Sequence, residues 1–123
     1  MHHMLGARRA FAGSGSIEFG DLLHLEQLNL SCSYLTEIPK EILIGMRSLR
    51  ILDMFFCLHL VTIELPPTIQ DFKFNCCYSL REVELPDRLT RIGDGAFAEC
   101  YSLSTIQLSR RIQSIGDSAF FRG

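Results

Sequence analysis

The stretch that decides the fold is Cys77-Tyr78-Ser79-Leu80-Arg81-Glu82-Val83-Glu84-Leu85-Pro86, because its apolar pattern occurs three times in the chain. The same order of a cysteine, a leucine, a β-branched residue and a second leucine begins at Cys57 and again at Cys100. The three cysteines are 20 and 23 residues apart, which lies within the repeat lengths of solenoid proteins. One such unit cannot bury its apolar face alone, so the repeat predicts an elongated stack of similar units.

A second apolar series overlaps the first and gives each unit another short segment. Its members begin at Leu25, Leu49, Ile69, Leu89 and Ile112, in steps of 24, 20, 20 and 23 residues. Apolar and polar residues alternate within each segment, which is the signal of β-strands. The sequence therefore predicts two short strands in every repeat, with the cysteine position between them.

Two units near the C-terminal end share a further motif. It consists of Ile92-Gly93-Asp94-Gly95-Ala96-Phe97 and Ile115-Gly116-Asp117-Ser118-Ala119-Phe120. Together with Cys100 and the leucine, isoleucine and leucine that follow it, this motif closely resembles the BspA-like class of leucine-rich repeats. The resemblance is close over 57–120, weaker over 25–56 and absent over 1–24. It implies a solenoid that binds a protein or another ligand through one face, often in adhesion or host contact.

We expect an α/β, strand-dominated fold, a right-handed leucine-rich-repeat solenoid of about four to five rungs with short helical turns. The solenoid should span residues 25–123, with the last repeat incomplete. Pro39 and Gly45 mark the start and end of one to two helical turns over 40–46. Residues 1–24 should form a weakly ordered lead-in or a degenerate repeat, since chain termini tend to fray.

The cysteines are predicted to be structural. Cys57, Cys77 and Cys100 occupy equivalent positions and should form a buried, unpaired column of thiols, roughly one strand spacing of about 4.8 Å apart. Cys76 should point outward and be more accessible, like Cys32, because neighbouring side chains in an extended segment point to opposite sides.

Composition and spacing argue against several classes of function. The net charge of −2 gives no basic stripe for nucleic acid, and the apolar runs are too short to insert into a membrane. His24 and His59 are isolated from each other and from acidic partners, so we assign no metal, cofactor or catalytic residue. The expectation is a protein that is not an enzyme.

The leading hypothesis is a non-catalytic protein-interaction module, in which a fixed apolar frame carries varied exposed residues. The partner is an unidentified protein. Nine positions are expected to face outward and are the candidate protein-binding residues: Asn29, Asp53, Asp71, Lys73, Glu64, Glu82, Glu84, Tyr78 and Tyr101. Leu58, Tyr78 and Tyr101 follow the column cysteines and could form a contact ridge or cover the seam between rungs.

Two alternatives stay open. The chain could be a structural repeat segment of a larger surface or adhesin-type protein, or a cysteine-dependent thiol sensor or enzyme that uses Cys76. Free cysteines and the absence of a signal peptide favour an intracellular location, and a surface location is open if the chain is a fragment. We also expect self-association through the uncapped C-terminal end, where Phe120 and Phe121 interrupt the repeat.

Overall fold

A computed structural model describes residues 4–6 and 23–122 of the chain, and these residues form short strands around one short helix. The strands are β1 (Met4–Gly6), β2 (Gln27–Asn29), β3 (Ile51–Asp53), β4 (Thr62–Glu64), β5 (Asp71–Lys73), β6 (Glu82–Glu84), β7 (Arg91–Ile92), β8 (Thr105–Ile106) and β9 (Ser114–Ile115). The helix, α1, comprises Lys40–Gly45 and lies between β2 and β3.

Strands one repeat apart pair in parallel and in register. The order β1-β2-β3-β5 makes a first sheet, which β7 and β9 continue as a separate pair, and β4-β6-β8 makes a second sheet. From β3 onward the chain alternates between the two sides, and it coils into a β-solenoid of about four turns. The strand-dominated leucine-rich-repeat solenoid that the sequence predicts is thus confirmed.

The core lies between the two sheets. The middle residue of each three-residue strand from β2 to β6 is buried, as at Leu52 in the first sheet and Val83 in the second. Both belong to one apolar cluster. Because both sheets turn their middle residues into the same core, the flanking residues of the two sheets face opposite sides of the molecule.

A stack of aromatic rings continues this core toward the C-terminal end. The ring centroids of Phe74 and Phe97 are 5.7 Å apart, and those of Phe97 and Phe120 are 5.4 Å apart, with the rings nearly parallel in both pairs. Phe72 packs against Phe74 and Phe97. Phe72, Phe74 and Phe97 therefore belong to the core, and Phe120 packs against it.

The helix begins and ends as its flanking residues predict. Pro39 caps its start, and the backbone N–H of Ile42 donates to the Pro39 carbonyl at 3.0 Å. Leu43 is buried against the core, whereas Ile44 is exposed. No helix in the described part of the chain is long and apolar enough to span a membrane.

The column of thiols is confirmed and has a specific hydrogen-bonding role. Cys57, Cys77 and Cys100 are completely buried and free. Their Sγ atoms donate to the main-chain carbonyls of Leu30, Met54 and Phe74 at 3.1, 2.9 and 3.0 Å. Each thiol thus satisfies a carbonyl of the preceding rung, at a point where the chain leaves the first sheet.

The prediction that Cys76 is accessible is wrong. Its side chain is only 7% exposed, whereas Cys32 at the equivalent position of an earlier repeat is exposed. The Cys76 thiol donates to Oε2 of Glu99 at 3.4 Å and also interacts with Tyr78. Alternation along a strand does not hold here, because Cys76 has a left-handed backbone conformation with φ of 62° and lies in a turn.

The boundary at residue 24 stays a prediction, because most of residues 1–24 lie outside the described residues. Of that segment the structure describes β1, which pairs with β2 in register, Met4 opposite Gln27.

The hydrogen bond from the thiol column predicts unequal effects of two substitutions at Cys77. Cys77→Ala removes the donor to the Met54 carbonyl and should lower the free energy of unfolding by about 1–3 kcal/mol. Cys77→Ser keeps a donor and should lose less. Urea denaturation measures both, with Cys32→Ala on the surface as the control that should change stability little. Equal losses for the alanine and serine variants would show that the hydrogen bond contributes nothing.

Burial of the thiols also predicts their order of reaction. In the native protein a thiol reagent should modify Cys32 rapidly. It should modify the four buried cysteines only on the timescale of local or global opening. Mass spectrometry of peptides from quenched samples gives the rate for each site, and all five should react in denaturant. Rapid native modification of Cys76 would contradict the burial described above.

Candidate functional site

The nine predicted contact residues do not form one surface. Four lie on the outward face of the first sheet: Asn29, Asp53, Asp71 and Lys73. Three lie on the outward face of the second sheet: Glu64, Glu82 and Glu84. Tyr78 and Tyr101 lie in the turns that lead from the first sheet to the second. Since the sheet faces point to opposite sides, no flat partner surface can contact all nine.

The face of the first sheet carries mixed charge. Register places Asn29 beside Asp53 and Asp53 beside Lys73, while Asp71 lies beside Ile51. The Asn29 side chain accepts the backbone N–H of Ser31 at 2.9 Å, so part of its polarity serves the local turn. This face combines both signs of charge, and Asp71 and Lys73 are its exposed members.

The face of the second sheet is acidic. Glu64 and Glu84 are in-register neighbours, and Lys40 from α1 lies 3.2 Å from the Glu64 carboxylate. The hydrogen bond with Glu64 and the repulsion between the two carboxylates raise the pKa of Glu84 above its usual value. Glu82 has the neutral neighbours Thr62 and Thr105. The three glutamates that were expected to face outward therefore do so, with Glu64 and Glu84 adjacent.

The tyrosine side chains form an exposed ridge. The rings of Tyr78 and Tyr101 stack with centroids 5.2 Å apart and planes 12° apart. Tyr78 is 39% exposed and Tyr101 is 54% exposed, and Leu58 in the preceding rung is exposed as well. We call Tyr34, Leu58, Tyr78 and Tyr101 the tyrosine ridge.

Tyr34 was missing from the predicted contact residues. It is 86% exposed, and its ring lies 6.1 Å from the ring of His59. The signal was present in the sequence, because Ser33 takes the place of the column cysteine and Tyr34 follows it. The Ser33 hydroxyl lies 3.5 Å from the Cys57 thiol, which confirms the equivalence.

Glu99 connects Tyr101 of the ridge to Cys76 in the turn of the preceding rung. Its Oε1 accepts the Tyr101 hydroxyl at 2.9 Å, and its Oε2 accepts the Cys76 thiol at 3.4 Å. The hydrogen bond from Tyr101 is the main reason that the pKa of Glu99 is lowered. Glu99 has a left-handed backbone, like Cys32, Phe56 and Cys76 at equivalent positions. Sequence reasoning missed this residue, because its role depends on a contact between rungs.

Redox chemistry requires an accessible thiolate, and the buried thiols of this protein fit that requirement poorly. Burial and then the Glu99 carboxylate raise the pKa of Cys76, and burial raises the pKa of Cys100 to about 11. Interaction with the Cys77 side chain lowers the pKa of Cys57 to about 6 and raises the pKa of Cys77. Yet the Cys57 thiol donates to the Leu30 carbonyl, which favours its neutral form, and its side chain is fully buried. Among the described residues there is no group of three histidine, cysteine or acidic side chains that could hold a metal ion.

The pair of carboxylates on the second sheet predicts a pH-dependent effect. Because the pKa of Glu84 is raised in the folded state, the native protein binds more protons than the unfolded chain, and stability falls as pH rises through that pKa. Glu84→Gln should therefore gain stability relative to the unmodified chain at pH 7 but not at pH 4. Thermal denaturation at both values tests this.

Glu82→Gln is the matched control for that experiment, since Thr62 and Thr105 flank Glu82 in place of a carboxylate. Its effect should change less between the two pH values. A Glu84→Gln variant that is less stable than the unmodified chain at pH 7 would show that repulsion from Glu64 is not the controlling interaction.

Comparison with known proteins agrees with this geometry. The family profile described as "BspA type Leucine rich repeat region" matches residues 44–122, with six copies. Among solved structures, the crystal structure of a T. pallidum leucine-rich repeat protein is similar in fold, with 24% sequence identity and a TM-score of 0.51. The alignment covers 78% of this chain and 54% of that protein, so this chain spans about half of its length. A comparison with curated protein sequences gave no significant match. Since the family profile covers more than half of the chain, the protein belongs to the BspA-type leucine-rich repeat family.

Proposed function

We propose that the chain is a non-catalytic protein-interaction module whose principal contact surface is the tyrosine ridge. The observation that carries this proposal is the exposed pair of stacked tyrosines in successive rungs. Tyr78 and Tyr101 are stacked against each other, and each keeps a large exposed area. A tyrosine side chain presents apolar area and a hydroxyl group with few rotatable bonds, which is why this residue is enriched among interface hot spots.

The ridge is preferred to the two sheet faces on physical grounds. The candidate residues on the sheets are short or charged side chains that solvent stabilises well. Exposed surface charges contribute little net binding energy, whereas desolvated aromatic anchors contribute most. In this proposal the candidate residues on the two sheets contribute little to the binding of the partner at the ridge.

Self-association through the last rung is a second part of the proposal. Three apolar side chains near the C-terminal end, each about half exposed, support it: Leu108, Ile115 and Phe121. Phe121 also carries the Arg122 guanidinium over its ring at 5.2 Å. This contact would use a surface separate from the ridge.

The two rival hypotheses make different demands. A thiol sensor or cysteine enzyme requires an accessible thiolate, and the burial and raised pKa of Cys76 disfavour it. A structural repeat segment requires no partner at the ridge. It is compatible with the same fold, so a binding measurement must separate it from the interaction module.

Replacement of the three ridge tyrosines should abolish partner binding while leaving the fold intact. The variant carries Tyr34→Ser, Tyr78→Ser and Tyr101→Ser. The variant and the unmodified chain are immobilised separately at equal density. Proteins retained from an extract of the source organism are compared by quantitative mass spectrometry. At least one protein should be retained about tenfold less by the variant, as expected for the loss of interface hot spots.

The control variant carries Asp71→Ser and Lys73→Ser, which change exposed residues of the first sheet. It should retain the same partner as the unmodified chain. Loss of the partner from this control alone would move the contact surface to the first sheet. Absence of any protein that depends on either surface would favour the structural-segment hypothesis.

A further inference from the structure

A long groove runs beside α1 on the side of the rungs remote from the tyrosine ridge. It consists of three adjoining cavities of 390, 920 and 860 Å³. The first two share Lys40 and Leu43 among their lining residues, and the last two share Arg47 and Arg88. The cavities therefore adjoin one another, and we call them together the groove.

The groove exists because one rung differs from those that follow it. The connection from Pro39 to Leu49 contains α1, whereas later rungs return to the first sheet through tight turns. In those turns the N–H of Ile69 donates to the Pro66 carbonyl at 3.1 Å, and the N–H of Leu89 donates to the Pro86 carbonyl at 3.2 Å. The helix therefore stands above its neighbours, and its exposed side forms one wall of the groove.

The middle cavity has an apolar part, although the charged residues Glu84, Asp87 and Arg88 also line it. Ile44 on α1 is 57% exposed, although nearby Leu43 is buried. Leu65, Pro66 and Pro86 line the same cavity. An exposed isoleucine facing prolines offers a place for an apolar side chain of a ligand, and the burial of both would be favourable.

The two ends of the groove carry opposite charge. At one end Lys40 forms an ion pair with Glu64 at 3.2 Å, and the same lysine is the cation that acts on Glu84, so one lysine serves two carboxylates. The raised pKa of Glu84 reflects the same excess of negative charge. An added cation at this end would relieve the repulsion between the two carboxylates.

The other end is basic. Arg47 and Arg88 line it, and neither has an ion pair within the part of the chain that the structure describes. The third arginine, Arg50, is held by Glu26 at 3.2 Å. Two guanidinium groups without carboxylate partners provide planar donors suited to a carboxylate.

We propose that this groove binds an extended segment of a partner protein that carries a basic side chain, a short apolar stretch and an acidic side chain in that spatial order from Glu84 to Arg88. Only an amphoteric ligand complements both ends. A nucleic acid has negative charge along its whole length and would be repelled at the acidic end. The apolar part of the middle cavity fits aliphatic or proline side chains.

This site is independent of the tyrosine ridge. The ridge occupies the turns that lead into the second sheet, and the groove occupies the connections that leave it. The strands of the second sheet lie between them. The module could therefore hold one partner at two places, or two partners at once.

Selection from a displayed library of random heptapeptides against the full chain tests the proposal. The enriched peptides should contain at least one lysine or arginine and at least one aspartate or glutamate, separated by apolar residues. A fluorescein-labelled copy of one such peptide is then titrated with the chain by fluorescence anisotropy. Glu84→Lys and Arg88→Glu should each weaken binding by at least about tenfold, which corresponds to 1.4 kcal/mol.

Charge reversal on the peptide distinguishes contact from indirect effects. A peptide in which the basic residue is changed to glutamate should bind the Glu84→Lys variant better than it binds the unmodified chain. The matched controls are Asp71→Lys on the first sheet and Arg110→Glu near the C-terminal end, both outside the groove, and both should bind as the unmodified chain does. Circular dichroism confirms that each variant folds.

Three outcomes would overturn the proposal. The first is failure to enrich any peptide, or enrichment of peptides of a single sign of charge. The second is a peptide whose binding is lost with Tyr78→Ser and Tyr101→Ser but kept with both groove variants, which would support the ridge and reject the groove. The third is occupation of the groove by a second copy of the chain, shown by sedimentation that depends on Glu84 and Arg88.

Discussion

The in-register stacking of rungs is the constraint on which the rest of the structure depends. No rung can bury its own apolar face, because each strand has at most three residues and the residues that point inward are single side chains. Leu52 lies between Leu28 and Phe72 of the adjacent strands. Stability therefore accumulates from contacts between neighbouring rungs, and the polar groups of the turns must also be satisfied between rungs. The thiol column does this with a side chain small and apolar enough to lie in the core.

Stacking also creates the surface features, since any residue that follows the same repeat position is placed beside its equivalent. Tyr78 and Tyr101 stack face to face because the turns that carry them are superimposed one rung apart. The same superposition sets Glu64 beside Glu84, where like charges repel. One geometric rule thus yields an attractive aromatic column and an unfavourable acidic pair. The acidic pair is tolerated because solvent and Lys40 weaken the repulsion between Glu64 and Glu84.

The groove arises from the opposite cause, a local break in the repetition. Only one of the described rungs contains a helix. The proline turns of the following rungs are shorter, so a concave space lies beside the helix. Regular stacking produces flat columns that suit broad protein surfaces, whereas the break produces a concave space that suits a narrower ligand. The two proposed contact surfaces of this protein therefore reflect regular stacking in one case and its interruption in the other.

The repeat spacing by itself determined the solenoid, the two strand series, the aromatic core and the burial of the column cysteines, and Pro39 and Gly45 marked the short helix predicted over 40–46. These features depend on which residues point inward within one rung, and the alternation and period of apolar residues report that directly. Tertiary structure alone decided the burial of Cys76, the anchoring role of Glu99, the division of nine candidate residues among three surfaces, and the groove beside α1. Each of these depends on where side chains of different rungs meet and on left-handed turns that break the alternation. A one-dimensional period contains no information on the depth or direction of such turns, so it could not have located these contacts.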